Sequence, residues 1–203
     1  MSTAIFGNGQ ALSNSAQTHQ QIEATFQSLI TNILGNTIPQ DKQGSAVRIS
    51  WPTSGAPGWD IEDDVAFLRA TISDDAISLQ RDKQWSPLDA SDATETTTYI
   101  RVWRIDLSIY GPNSLDHARL IKSALFMDWV AVTLAPSKLA VLVPLQEPRR
   151  IPELFAGEWW ERVDFSIQVN ELVTETMTVN PITSVEITLS AAEGPSVTID
   201  ADA

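Results

Sequence analysis

Cysteine is absent from the 203 residues. No disulfide framework, thiol nucleophile or thiolate metal site is therefore available. Histidine occurs only twice, at His19 and His117, which leaves little for imidazole catalysis or metal ligation. Basic side chains are scarce: 13 Lys and Arg stand against 26 Asp and Glu, a formal net charge of −13. Affinity for nucleic-acid phosphate comes mainly from Lys and Arg, so this balance argues against a DNA-gripping surface. It suits protein partners, or a surface that must not hold nucleic acid. No run approaches the ~20 apolar residues of a membrane span. The opening MSTAIFGNGQALSNS lacks the basic segment and long apolar run of a secretory leader. The fingerprints G-x-x-x-x-G-K-S/T, G-x-S-x-G and H-E-x-x-H are all missing, and Gly7-Asn8-Gly9 lacks the third glycine of a dinucleotide loop. No catalytic, cofactor-binding or metal-ligating set is expected, and no cofactor.

What is present is globular. Apolar residues make up 43% and charged residues 19%, enough for a hydrophobic core in one domain of ordinary size. The clearest element is a helix over 18–34. Thr18 and Gln21 have the spacing of a capping box, and Ile22, Phe26, Leu29, Ile30, Ile33 and Leu34 form one stripe at helical period, ended by Gly35. Residues 1–14, small and polar, are expected to be a flexible arm. Strands are predicted over 46–51 and 65–73, with the Pro- and Gly-rich PTSGAPG as a loop between them. Residues 81–97 read as a polar loop insertion. A long strand over 99–110 precedes Gly111-Pro112-Asn113, and a second helix runs from Ser114 to about Asp128. The apolar LAVLVPL over 139–145 is an edge strand limited by Pro144. A second long strand covers 160–170, a further strand 182–189, and an acidic tail 191–203. The expected fold is α+β: a main domain over 15–190 with a mixed or mainly antiparallel sheet and two helices packed on one face.

The two long strands repeat a pattern. WRIDLSIY begins at Trp103 and ERVDFSIQ at Glu161, and both contain Arg-φ-Asp-φ-Ser with φ apolar. In each strand the apolar residues point one way and Arg104, Asp106 and Ser108, or Arg162, Asp164 and Ser166, point the other. A carboxylate pair for acid–base work needs close approach and pKa values pushed apart. An arginine two residues away on the same face opposes that, because it favours the ionised carboxylate. The rows therefore read as a polar sheet face. As antiparallel neighbours, one register sets Arg104 opposite Asp164 and Asp106 opposite Arg162, giving two cross-strand ion pairs of ~0.2–1 kcal/mol each. A register two residues away opposes Asp106 to Asp164 and is electrostatically worse.

Other clusters carry less. Asp60-Ile61-Glu62-Asp63-Asp64 is dense in carboxylates but lacks the spacing of an EF-hand loop, so a solvated acidic loop is expected. His19 and His117 fall in the first turns of the two helices, where exposure is the expectation. Of the seven tryptophans, Trp159 and Trp160 are adjacent. Neighbouring strand positions face opposite ways, so one indole enters the core side while the other is a candidate subunit contact.

The segment from Tyr99 to Asn170 resembles the phage neck or tail terminator family. With the amino-terminal helix and the Ile182–Val185 strand the resemblance covers Ser15 to Leu189, leaving out the 81–97 loop and the acidic tail. The resemblance rests on a strand ending Ile109-Tyr110-Gly111, the helix from Leu115 to Phe126, an apolar strand, a proline-rich turn and the Glu158-Trp159-Trp160-Glu161-Arg162 start of a strand. It implies a structural virion protein of the neck or tail, made in the host cytoplasm and without enzymatic activity. Such a subunit forms a ring, expected to be a hexamer, that caps the tail tube, stops its polymerisation and joins it to the head-side connector. DNA passes through the channel without specific binding. The implied partners are further copies of the chain, the tail tube protein and the head-completion or connector protein, with the sheath as a further candidate; no membrane is involved. The alternatives are another small tail or baseplate adaptor, a metal-dependent hydrolase using Asp60 to Asp64 with a histidine, or a sugar- or peptide-binding module using the tryptophans.

Overall fold

In the computed structural model, residues 2–5, 11–35, 37–39, 42, 46–50, 58–73, 75–87, 92–155, 157–179, 184–189 and 197–202 are described. They build an α+β protein, and the chain divides into two compact units. The larger comprises Ala16–Gln80 and Tyr99–Val173; the smaller comprises Met1–Ser15, Arg81–Thr98 and Thr174–Ala203.

The larger unit begins with α1, His19–Leu34. Its capping box forms as the spacing predicts: Gln21 N–H donates to Thr18 Oγ1 at 3.3 Å, and Thr18 N–H donates to Gln21 Oε1 at 2.8 Å. All six residues of the predicted stripe are buried. Strands β3 (Val47–Ile49) and β4 (Val65–Ile72) follow and pair in parallel. The predicted loop between them falls mostly outside the described residues. The long strands come next: β6, Ala93–Tyr110, and β11, Arg162–Val179. β6 is antiparallel to β4, with Arg69 facing Asp106 and Phe67 facing Ser108. The sheet of the larger unit has the order β11-β6-β4-β3, and the short strands β7 (Leu139–Val141) and β8 (Arg149–Arg150) lie against β11. Strands β9 (Glu153–Phe155) and β10 (Glu158–Trp160) form a separate antiparallel hairpin.

The alternation in both long strands does what its period requires. Ile105, Leu107 and Ile109 of β6 and Val163, Phe165, Ile167 and Val169 of β11 are buried in one core with Ile22, Phe26 and Ile30 of α1. Burying aliphatic and aromatic side chains of this size contributes about 1.5–3 kcal/mol each. The helix expected from Ser114 to about Asp128 is α2, Ser114–Ala124, and a further helix, not expected from the sequence, follows it: α3, Asp128–Leu134. The helical run Ser114–Ala124 and Asp128–Ser137 bends by 77°. α3 has only seven residues and buries only Val130 and Leu134, too brief a pattern to mark a helix by period. Among the described residues no single helix is long and apolar enough to cross a membrane.

In the smaller unit, strands occur where the sequence suggests an arm, a loop and a tail. β1 (Ser2–Ile5) and β2 (Ala11–Asn14) form an antiparallel pair, and β2 pairs with Glu175–Met177 of β11. β5, Asp82–Pro87, pairs with Ala93–Thr98 of β6. β12 (Ser184–Leu189) pairs with β13 (Val197–Asp202). Every residue of β5 is exposed, so the hairpin has no buried row for periodicity to reveal. Its stabilisation comes from backbone pairing, β-branched residues such as Thr94, Thr96 and Thr98, and the Lys83–Glu95 ion pair at 2.6 Å.

Candidate functional site

The repeated polar rows meet on the sheet face opposite the core, in a register that differs from both weighed from the sequence. Ser108 Oγ donates to Asp164 Oδ1 at 2.9 Å, and Ser166 Oγ donates to Asp106 Oδ1 at 2.7 Å. The serine of each copy therefore serves the aspartate of the other, and the two strands run antiparallel. The ion pairs lie along the strands, not across them: Arg104 Nε to Asp106 Oδ1 at 2.7 Å, and Arg162 Nε to Asp164 Oδ1 at 2.8 Å. Same-face residues of one strand are about 6.6 Å apart, within reach of an arginine. Aspartate opposite serine gives each carboxylate a neutral donor across the sheet while keeping its own guanidinium. Each guanidinium also contacts the other strand's serine, Arg104 Nη2 at 3.2 Å from Ser166 Oγ and Arg162 Nη2 at 3.5 Å from Ser108 Oγ. The four charged residues expected to form a polar sheet face thus lie in two hydrogen-bonded clusters on that face, which together make a polar array.

At the Tyr110 end this array merges into an aromatic cluster. Trp59 lies 4.9 Å from Phe67, 5.8 Å from Tyr110 and 5.9 Å from Trp160 between ring centroids, and Phe155 is 5.9 Å from Trp160. Tilted and edge-on pairs of this kind suit the ring quadrupoles. The link to the polar array is Glu153, whose Oε2 accepts from Tyr110 Oη at 2.8 Å and from Arg162 Nη1 at 3.0 Å. These two bonds hold the Glu153 carboxyl below its ordinary pKa. Burial, followed by the bond to Glu153, pushes the Tyr110 phenol up to about 12. Bonds to Asp164 and Glu153 make the Arg162 cation harder to deprotonate. Trp59, Tyr110, Glu153, Phe155 and Trp160 line a depression of about 140 Å³. Trp160 is in the cluster, while Trp159 is 68% exposed on the other side of β10, the opposed placement that adjacent strand positions require. The indole N–H groups of Trp59 and Trp160 are shielded and have no acceptor.

A second polar centre has no counterpart in the sequence reading. Glu171, 1% exposed, accepts at Oε2 from Trp103 Nε1 at 2.6 Å, Arg101 Nη2 at 2.7 Å and Arg101 Nε at 2.9 Å. Its Oε1 accepts from Gln17 N–H at 2.7 Å, and Arg101 Nη2 also donates to Gln17 O at 2.6 Å. The node ties both long strands to the chain just ahead of α1. Its only sequence signal is an acid placed in the inward-facing row of β11, next in step after Val169.

The other predicted candidates are spent on structure. Asp63 pairs with Lys42, which with the Asp60 N–H lowers its pKa. Asp64 accepts from Asn113 N–H at 3.0 Å and Asn113 Nδ2 at 2.8 Å, holding the turn into α2. Among the described residues no group of three or more His, Asp or Glu side chains is placed to hold a metal. His19 is exposed, but His117, expected to be exposed, is 5% exposed. Burial lowers its pKa, against the weaker opposing influence of Asp64 and Asp116. It lies on the core side of α2 because it falls between Ser114 and Ile121 on the buried face of that helix.

Gly111 joins these parts. Its φ is +108°, and an added Cβ would stand 2.5 Å from Asp64 Oδ1 and 2.7 Å from Asp63 O. Only glycine adopts that conformation and admits that approach without strain. The glycine at the exit from β6 is therefore a physical requirement of the turn.

Exposed apolar side chains of the larger unit include Ile72, Ile77 and Leu79 around the turn after β4, and two further groups. Leu154, Phe155 and Trp159 lie on the β9–β10 hairpin, and Phe126, Met127, Trp129 and Val132 on α3 and the corner before it. A family model described as phage neck terminator protein matches residues 20–194. No curated protein matches the chain.

Proposed function

The chain belongs to the phage neck terminator family, and on that premise we propose that it is a ring-forming subunit, six to a ring, capping the tail tube. The ring stops tube polymerisation by presenting one face to the last tube layer and the other to the head-side connector. The tube protein, the connector protein and, in a contractile tail, the sheath are its contacts; the mature location is the virion, after synthesis in the host cytoplasm. The observation that carries this reading is the family match over 20–194, which takes in nearly all of α1, the sheet of the larger unit and both long strands.

The chemistry of the chain supports it. The polar array is self-satisfied, with each aspartate held by an arginine and a serine, so it offers a rigid surface and no reaction centre. The excess of 26 acidic over 13 basic residues suits a channel that DNA must cross without sticking; part of that charge faces the lumen. Exposed apolar patches larger than scattered single residues mark interaction surfaces. Trp159 is a candidate subunit contact on that ground, while Trp160 shapes the depression behind it.

The test is native mass measurement of the purified chain, alone and with tube and connector proteins, joined to electron microscopy of tails assembled with and without it. A ring bound to tube ends, and overlong tubes in its absence, are expected. A chain that stays monomeric and binds neither partner sinks the reading, and a ring with a strongly basic lumen sinks the charge argument.

A further inference from the structure

Two of the exposed apolar surfaces of the larger unit have opposite shapes. One is concave: the depression of about 140 Å³ lined by Trp59, Tyr110, Phe155 and Trp160, with Leu154 exposed on the same hairpin. That volume takes one large apolar side chain. The other is convex. α3 turns only Val130 and Leu134 inward, so Trp129 and Val132, one turn apart, stand outward beside Phe126 and Met127 at the 77° corner with α2. Residues three apart on a helix share a face, and the four make a ridge.

Exposed charges of both signs neighbour each surface along the chain. Arg149, in β8 just ahead of the hairpin, and Glu158, in β10, are exposed; Asp128 opens α3 and Lys138 follows it, both exposed. Among the described residues none of these four takes part in an ion pair. Each surface thus offers one unpaired cation and one unpaired anion. A surface pairing with itself would not need two shapes.

We propose that the depression beside the β9–β10 hairpin receives the α3 ridge of a second copy of this chain, with Val132 and Trp129 against the aromatic lining, Asp128 meeting Arg149 and Lys138 meeting Glu158. The contact is heterologous, and heterologous contacts repeat head to tail and close into rings when the rotation allows. An aromatic anchor in a pocket with charges at the rim is the pattern of an energetic centre in an interface. This inference rests on the ring reading above and assigns the surfaces that make the ring.

Because the chain has no cysteine, introduced cysteines report the contact directly. V132C and L154C combined in one chain, oxidised under assembly conditions, are expected to give a ladder of covalent multimers, and each single-cysteine variant none. D128R and R149D are each expected to cut the assembled fraction about tenfold, and the double swap D128R/R149D to restore it. A wild-type ring by native mass with no ladder and no rescue overturns this docking and leaves the ring reading standing. Efficient dimers of V132C alone, which mean a ridge-to-ridge contact, overturn it too. A wild-type chain that stays monomeric at every concentration, alone and with tube protein, overturns both.

Discussion

Ser108 and Asp164 face each other across β6 and β11, hydroxyl to carboxylate at 2.9 Å, and Ser166 repeats the relationship with Asp106 at 2.7 Å. The duplicated Arg-φ-Asp-φ-Ser pattern thus forms two equivalent clusters, each taking Arg and Asp from one strand and Ser from the other.

That arrangement sets where electrostatic coupling lies. A double-mutant cycle on Arg162 and Asp164 is expected to give ~0.2–1 kcal/mol, since both are partly exposed. The same cycle on Arg104 and Asp164 is expected to give no coupling beyond error, because Arg104 is engaged with Asp106 and Ser166. Urea midpoints of the four variants in each cycle measure this. A larger value for the second pair would restore the cross-strand register that the structure replaces.

Glu171 carries more. Glu171→Ala leaves the indole N–H of Trp103 and the N–H of Gln17 without their acceptor and takes the carboxylate from Arg101, which keeps only the Gln17 carbonyl. Removing one partner of a buried ion pair costs about 3–5 kcal/mol. Chemical denaturation of wild type and variant should show that loss, with Glu171→Gln smaller because it keeps an acceptor oxygen. A change under about 1 kcal/mol for the alanine variant would mean that the node is not formed in solution.

Gly111→Ala forces a side chain into φ +108° and against Asp64 and the Asp63 carbonyl. Backbone strain of this kind costs about 1–3 kcal/mol, before the clash is relieved. Thermal unfolding should register the loss, and Gly157→Ala is the matched control. Gly157 also has positive φ, at +87°, but its Cβ would meet nothing within 4 Å. The control is therefore expected to be the milder change.

His117 makes stability depend on pH. Its folded pKa lies below the ordinary 6.5 because burial disfavours the imidazolium. As pH falls through 6.5 the unfolded chain takes up the proton first, so this contribution to stability is present above the unfolded value. It is lost as pH drops toward the lower folded one. Denaturant midpoints from about pH 7.5 to about pH 5 should fall more steeply for wild type than for His117→Leu. Parallel curves would count against a buried neutral imidazole.

Some of the protein is dictated locally, and there the sequence sufficed. Thr18, Gln21 and the stripe from Ile22 to Leu34 specify α1 with its cap and its buried face, because capping and helical period act within a few residues of chain. The two-residue alternation from Trp103 to Ile109 and from Val163 to Val169 specifies strands with one wet face, and Gly111 with Pro112 marks the end of the first. These same segments carry the family resemblance.

Tertiary structure decided whatever depends on residues far apart in the chain. The pattern Arg-φ-Asp-φ-Ser is compatible with several registers two residues apart, and only the packing of the sheet selects aspartate opposite serine. Glu171 becomes a structural centre only when β6 brings Arg101 and Trp103 to it and the chain ahead of α1 brings Gln17. His117 is buried because the core side of α2 includes it. Strand β5 buries no side chain and α3 buries two, so backbone pairing and the bend after α2 define them where hydrophobic period is silent. Trp159 and Trp160 were bound to diverge by strand geometry. Which of them joins Trp59, Tyr110 and Phe155, and which is left on the surface, was settled by where the hairpin folds.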